Sequence, residues 1–130
     1  MKYLLDVNAL IALGFSGHEF HNRVARWVAG ESSPILATCA ITELGFVRVL
    51  SQAANYAVTI AQAQSLLLRM KKSGAVPFVF LPDDHDISHL PAWVKTPRQT
   101  TDGHLLQLAK AHGATLATLD EKIPYAYKIP

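Results

Sequence analysis

The sequence predicts an α/β chain: a three-layer α/β/α sandwich around a mostly parallel sheet of four to five strands. Two observations carry that expectation. Short apolar runs alternate with stretches of helical periodicity along nearly the whole chain. No repeat, low-complexity tract or long linker divides it. A third bounds it: 130 residues, half of them hydrophobic, suit one domain over 1–130 with a single core and no need of staples.

In order, Tyr3–Asp6 reads as a short buried strand running into a helix. Ser16-Gly17-His18-Glu19 has the pattern of a capping box ahead of a helix with Phe20, Val24, Trp27 and Val28 on one face, and Gly30 suits its end. Ile35–Thr38 is a second strand, followed by a helix from about Cys39 to Ser51. Thr59 and Gln62 form another capping box; Ile60, Ala63, Leu67 and Met70 make one stripe, closed by Lys71, Lys72 and Gly74. Val76–Leu81 is a third strand. Three prolines and many polar residues make the stretch from Pro82 to Thr100 a loop with a short turn of helix near Trp93. Thr100 or Thr101 caps a helix to His112, Thr115–Leu119 is a fourth strand, and the tail around Tyr125–Ile129 offers a short edge strand.

Composition excludes several classes. Cys39 is the only cysteine, so the chain builds neither an internal disulfide nor a thiolate zinc site, and a reducing, cytoplasmic setting is expected. Asp6 and Asn8 interrupt the apolar N-terminus, which reads as strand and helix, not as a signal peptide. No stretch has the length of a membrane span without polar breaks, so no membrane partner is expected. A net charge of +2 permits nucleic-acid binding without arguing for it.

Of ten acids, Glu19, Glu31, Asp83, Asp84, Asp86 and Glu121 sit in polar or turn-like neighbourhoods, where carboxylates belong. Asp6, Glu43, Asp102 and Asp120 are set against or at the ends of apolar runs. Asp6 and Asp120 each end a predicted strand, and in a parallel sheet both ends open on one edge, where such sheets bind ligands. Glu43 shares a stripe with Phe46, Val47 and Leu50; Asp102 heads one with Leu105, Leu106 and Ala109. Taken singly, Asp6 reads as a helix cap, Asp120 as a turn residue and Asp102 as an acid favoured by a helix dipole. Glu43 resists such a reading, because an unpaired glutamate beside a packed face is costly and Arg48, five residues on, is poorly placed to pair with it. Gathered together, two like charges at about 4 Å cost roughly 4 kcal/mol at an effective dielectric of about 20. Mg²⁺ or Mn²⁺, which prefer hard oxygen ligands, would supply the counter-charge and the chemistry of phosphodiester hydrolysis.

The segments LLDVNALIAL, TCAITELGFVRVL and RQTTDGHLLQLAKAHGATLATLDEKI, with HEFHNRVARWV after the first unit, resemble the PIN-domain family over nearly the whole chain, and within it the VapC-type toxins of toxin–antitoxin pairs. The most characteristic part is the last, with TD opening a helix and AT-x-D closing the next strand. The resemblance implies a PIN-like sandwich, Mg²⁺ or Mn²⁺, and endonuclease cleavage of single-stranded RNA by a homodimeric toxin held inactive by an antitoxin protein. It implies that Asp6, Glu43, Asp102 and Asp120 are both catalytic and metal-binding. Thr118 matches the family's small hydroxyl residue beside them, and Asn8 a frequent supporting polar position. Alternation along a strand puts Thr118 and Asp120 on one face. Arg48 and Arg98 are candidates for RNA phosphates, with Lys95 and Gln99 beside the latter. His104 lies two residues after Asp102, although lone surface histidines are commoner, and Trp93 is either a base-stacking residue or a packing anchor.

Three rivals stand beside this reading. An aspartyl-nucleophile phosphatase needs an Asp where Asn8 stands. A phospho-receiver signalling domain could use Asp83, but it lacks a late strand-end lysine and leaves Glu43 unexplained. A PIN-like module that binds RNA without cutting it or acting as a toxin is opposed by the intact acids.

Overall fold

The computed structural model describes residues 1–130. Five strands, β1 (Lys2–Leu5), β2 (Ile35–Thr38), β3 (Phe78–Phe80), β4 (Thr115–Thr118) and β5 (Tyr127–Lys128), form one sheet in the order β3-β2-β1-β4-β5. Every pairing is parallel. The helices are α1 (Val7–Gly14), α2 (His21–Gly30), α3 (Ala40–Gln52), α4 (Ile60–Lys72) and α5 (Thr100–Ala111).

Strand alternation sorts the core into two halves. Tyr3 and Leu5 of β1, Leu36 of β2 and Ala117 of β4 pack on one face with α1–α4. Leu4, Ala37 and Leu116, the residues between them, pack on the other face with Leu105, Leu108 and Ala109 of α5. A strand buried on both faces must be apolar at consecutive positions, which is what the short runs show.

Two glycines allow the close approaches that frame the site. A Cβ on Gly45 would lie 2.4 Å from Val7 Cγ2, so only glycine lets α3 come this near α1. A Cβ on Gly103 would lie 2.4 Å from Val94 Cγ2, which seats the segment before α5 directly on that helix.

Most expected elements form, and local capping is where the structure departs. Thr59 and Gln62 make the reciprocal capping box at α4. Ser16 and Glu19 do not; α2 begins only at His21 after Phe20, which gives no side-chain cap. Instead the Phe15 carbonyl accepts the His18 N–H at 3.1 Å, so the chain turns once more before the helix starts. Neither Thr100 nor Thr101 caps α5: Thr96 and Gln99 box a preceding 3-10 turn, Pro97–Gln99, which runs straight into the helix. The loop from Pro82 carries that turn, another at Ile87–His89, and a single turn at Trp93, where the Val94 N–H reaches the Pro91 carbonyl at 3.2 Å.

Candidate active site

β1 and β4 are neighbours, and the backbone immediately beyond both opens on the same edge of the sheet. Asp6 leaves β1 and caps α1: one carboxylate oxygen accepts the Ala9 N–H at 2.9 Å, and the other accepts the hydroxyl hydrogen of Thr118. Thr118 is fully buried, and its Oγ1 also accepts the Asp120 N–H at 2.9 Å. One hydroxyl thus ties the end of β1 to the loop after β4. The Asp120 carboxylate in turn accepts the Lys122 N–H at 2.9 Å, closing a tight turn.

Asp102 sits in the first turn of α5. Burial, and then the charge of Asp120, hold its carboxyl above the usual range of about 3.8. Asp6 is 8% exposed. Burial raises its carboxyl as well; the Thr118 and Ala9 hydrogen bonds pull it back, and the charges of Asp102 and Asp120 push it up again. The charges of Asp102 and Asp120 thus reach Asp6, and that of Asp120 reaches Asp102. None of the three forms an ion pair with a basic side chain.

Glu43 belongs to a different arrangement. Its Oε2 accepts hydrogen bonds from Thr38 Oγ1 and Lys71 Nζ, each at 2.5 Å. Lys71, from the end of α4, lies with its ammonium 5.6 Å from the centre of the Phe80 ring. Glu43 is not among the charges that raise Asp6 or Asp102. The partner that Arg48 could not be comes from the next helix.

The remaining candidates fall as follows. Asn8 is exposed on the first turn of α1 and is neither of the two donors that hold Asp6. Arg48 is exposed on α3. Arg98, Gln99 and Lys122 line a cleft of about 230 Å³ together with Asp102, Asp120 and Trp93. Lys122, unremarked in the sequence, is brought there by the turn after Asp120. His104 bonds Asp83 at 2.5 Å and none of the three aspartates.

The donor set is chemically right for a hard divalent cation. The aspartates offer carboxylate oxygens with an unbalanced charge, and Glu43 keeps Oε1 free of protein donors. No three Asp, Glu, His or Cys side chains stand close enough together to hold a metal ion among them. That is compatible with magnesium, which is held through one or two carboxylates and keeps several waters or substrate oxygens.

A family model described as PIN domain matches residues 3–129. Ribonuclease VapC38 of Mycobacterium tuberculosis is 39% identical over 123 residues, covering 90% of this chain and 84% of that protein. Ribonuclease VapC44 of the same organism is 38% identical over 128 residues, covering 95% and 89%. Among solved structures, M. tuberculosis VapC20, a sarcin-ricin loop cleaving toxin, superposes with a TM-score of 0.67 at 13% identity over 98% of this chain and 99% of that one. VapBC2 of Rickettsia felis, bound to a DNA fragment from its promoter, gives 0.59 at 15% identity over 98% and 97%. Arrangement, family model and relatives agree: the chain belongs to the PIN-domain family.

Proposed function

We propose that this chain is a Mg²⁺- or Mn²⁺-dependent endoribonuclease that hydrolyses phosphodiester bonds of single-stranded RNA and acts in the cytoplasm as the toxin of a toxin–antitoxin pair. The observation that carries the reading is the Thr118 hydroxyl bridging Asp6 and Asp120, beside Asp102, in a chain whose relatives are named as VapC ribonucleases. When bound, the cation balances the carboxylates and stabilises charge on the reacting phosphate. One or two of Asp6, Asp102 and Asp120 would hold it directly and the rest through its waters, while Glu43 would join them only by leaving Lys71.

The protein's own contribution is positioning. Thr118 and the α1 cap leave Asp6 one orientation. The turn from Asp120 to Lys122 sets an acid and a cation on one loop, and Arg98 lines the same cleft. Arg98 and Lys122 are suited to the phosphates on either side of the cut bond.

Two partners complete the proposal. Leu44, Ile60, Leu68 and Phe80 are 68%, 66%, 43% and 49% exposed on α3, α4 and β3, an apolar surface of the kind a second copy of the chain would cover. Sedimentation of the free chain as a dimer checks this, and a monomer refutes it. The antitoxin would bring an arginine to the aspartates, since its planar fork binds carboxylates in bidentate fashion. No helix is long and apolar enough to cross a membrane.

Incubating purified protein with single-stranded RNA tests the activity. Cleavage should require Mg²⁺ or Mn²⁺ and stop in excess EDTA; undiminished cleavage in EDTA would refute the metal-dependent reading.

A further inference from the structure

The acidic cleft has a neighbour. On the far side of Trp93 lies a second cavity of about 430 Å³, lined by Pro91, Trp93, Leu106, Gln107, Lys110 and Tyr125 among others. Trp93 is a wall of both spaces. Three elements run from one to the other. On α5, Asp102, Leu106 and Lys110 recur every four residues, so they lie on one stripe, each step about 6 Å along the axis. On the loop between β4 and β5, Asp120 and Lys122 line the cleft and Tyr125 lines the cavity. On the segment before α5, Trp93 lines both, and its neighbour Val94 packs on Gly103, one residue from Asp102.

Tyr125 is the least expected feature. Its side chain is 81% exposed, and its φ of +64° is a left-handed conformation that non-glycine residues rarely adopt. Packing does not explain an aromatic ring held outward on such a backbone. Trp93 lines the same cavity, and the polar side chains there are the Gln107 amide, the Lys110 ammonium and the Thr115 hydroxyl. Aromatic walls with a few polar groups suit a flat heteroaromatic ring whose rim carries hydrogen-bond acceptors.

We infer that this cavity is the seat of one unpaired nucleobase of the RNA strand, stacked by Trp93 and Tyr125 and read at its edge by Gln107 and Lys110. The base belongs to a nucleotide close to the cut bond, since the cavity and the acidic cleft share a wall. The inference rests on the proposed ribonuclease reading and adds a source of sequence preference to it. A base is favoured over a partner peptide because the cavity continues the cleft where the phosphates would lie, and Arg98, Lys122 and Lys110 line that path with cations.

Binding of single-stranded oligoribonucleotides in EDTA, where the strand stays intact, tests it. One abasic nucleotide is moved along the strand, and wild type is compared with Trp93→Ala, Tyr125→Ala and Lys110→Gln. Tyr125 and Lys110 are exposed, so those variants keep the core whichever way Trp93→Ala folds. For the intact strand, losing an aromatic wall should weaken binding about five- to a hundredfold, the range that stacking one base on a side chain spans. At one abasic position the wild type should lose as much, and the variants should lose nothing further. In Mg²⁺, Lys110→Gln should relax cleavage preference at that one nucleotide. Variants that bind and cleave every strand like wild type overturn the inference and leave the ribonuclease reading intact. So does a loss confined to the affinity of a protein partner. A wild type that cleaves no RNA overturns both.

Discussion

The carboxylates at the sheet edge live under two regimes. Asp6 and Asp102 are raised by burial and by neighbouring aspartate charge, that of Asp120 included, and none of the three aspartates forms an ion pair. Glu43, supplied by the neighbouring strand–helix unit, is paired with Lys71 and hydrogen-bonded by Thr38. A fold gains nothing from crowding acids, so an unbalanced cluster marks chemistry, whereas a balanced acid is compatible with structure alone. Neutralising one member of each set should therefore move stability in opposite directions.

The largest effect is catalytic. Asp102→Asn should cut RNA cleavage by at least about a hundredfold, the scale lost when one group acting on the transition state is removed. The same variant, without metal, should melt higher than wild type, because its shift comes from burial and Asp120 alone and asparagine relieves both. Asp6→Asn is a less clean probe. Asp6 accepts a hydrogen bond at each oxygen, and an amide has only one oxygen to offer. A metal-free Asp102→Asn that melts several degrees lower would make Asp102 structural.

Lys71→Met sharpens the contrast. It leaves Glu43 with Thr38 alone and should cost about 1 kcal/mol, the upper end for a partly exposed pair. A Lys71→Met that is as stable as wild type in urea unfolding would put Glu43 in the same regime as the aspartates.

The smallest effect is on pH dependence. Asp6 and Asp102 ionise reluctantly in the fold, so the metal-free protein should gain stability as pH falls through their raised values toward about 3.8. Asp83 and Asp86 act the other way. Burial would raise Asp83, but hydrogen bonds from His104 and His85 outweigh it, and Ser88 lowers Asp86. Their stabilisation is lost as pH drops below about 3.8 through their lowered values. Thermal melts of the metal-free protein should peak where the two trends meet, near the unperturbed value of about 3.8, and Asp102→Asn should flatten the rise toward that peak. A wild type that loses stability steadily from neutrality downward contradicts the raised carboxyls.

The strands were legible because burial on both faces forces unbroken apolar runs, and the parallel order followed from their alternation with helices. Asp6 and Asp120 could be placed on one edge for the same reason; Thr118 was picked out by the family resemblance, and alternation added only that it shares a face with Asp120. Local caps were less legible: Ser16–Glu19 has the right letters, but a turn at Phe15–His18 delays the helix past them. Lys71 was hidden because it sits 28 residues from Glu43 and meets it only where α4 returns along α3. In sequence it reads as an ordinary cation closing a helix. Lys122 and Tyr125 were hidden for a related reason, since only the turn that follows Asp120 decides where their side chains go.

The central claim is that the uncompensated aspartates exist to hold a divalent cation. The most direct test is the melting temperature of wild type and Asp102→Asn with and without Mn²⁺ at neutral pH. A ligand at about 100 times its Kd stabilises the folded state by roughly 2.7 kcal/mol. Wild type should therefore rise by several degrees with Mn²⁺ and overtake the variant, which should barely respond. If Mn²⁺ leaves wild type unmoved, or raises both proteins equally, the aspartates are not the cation's site.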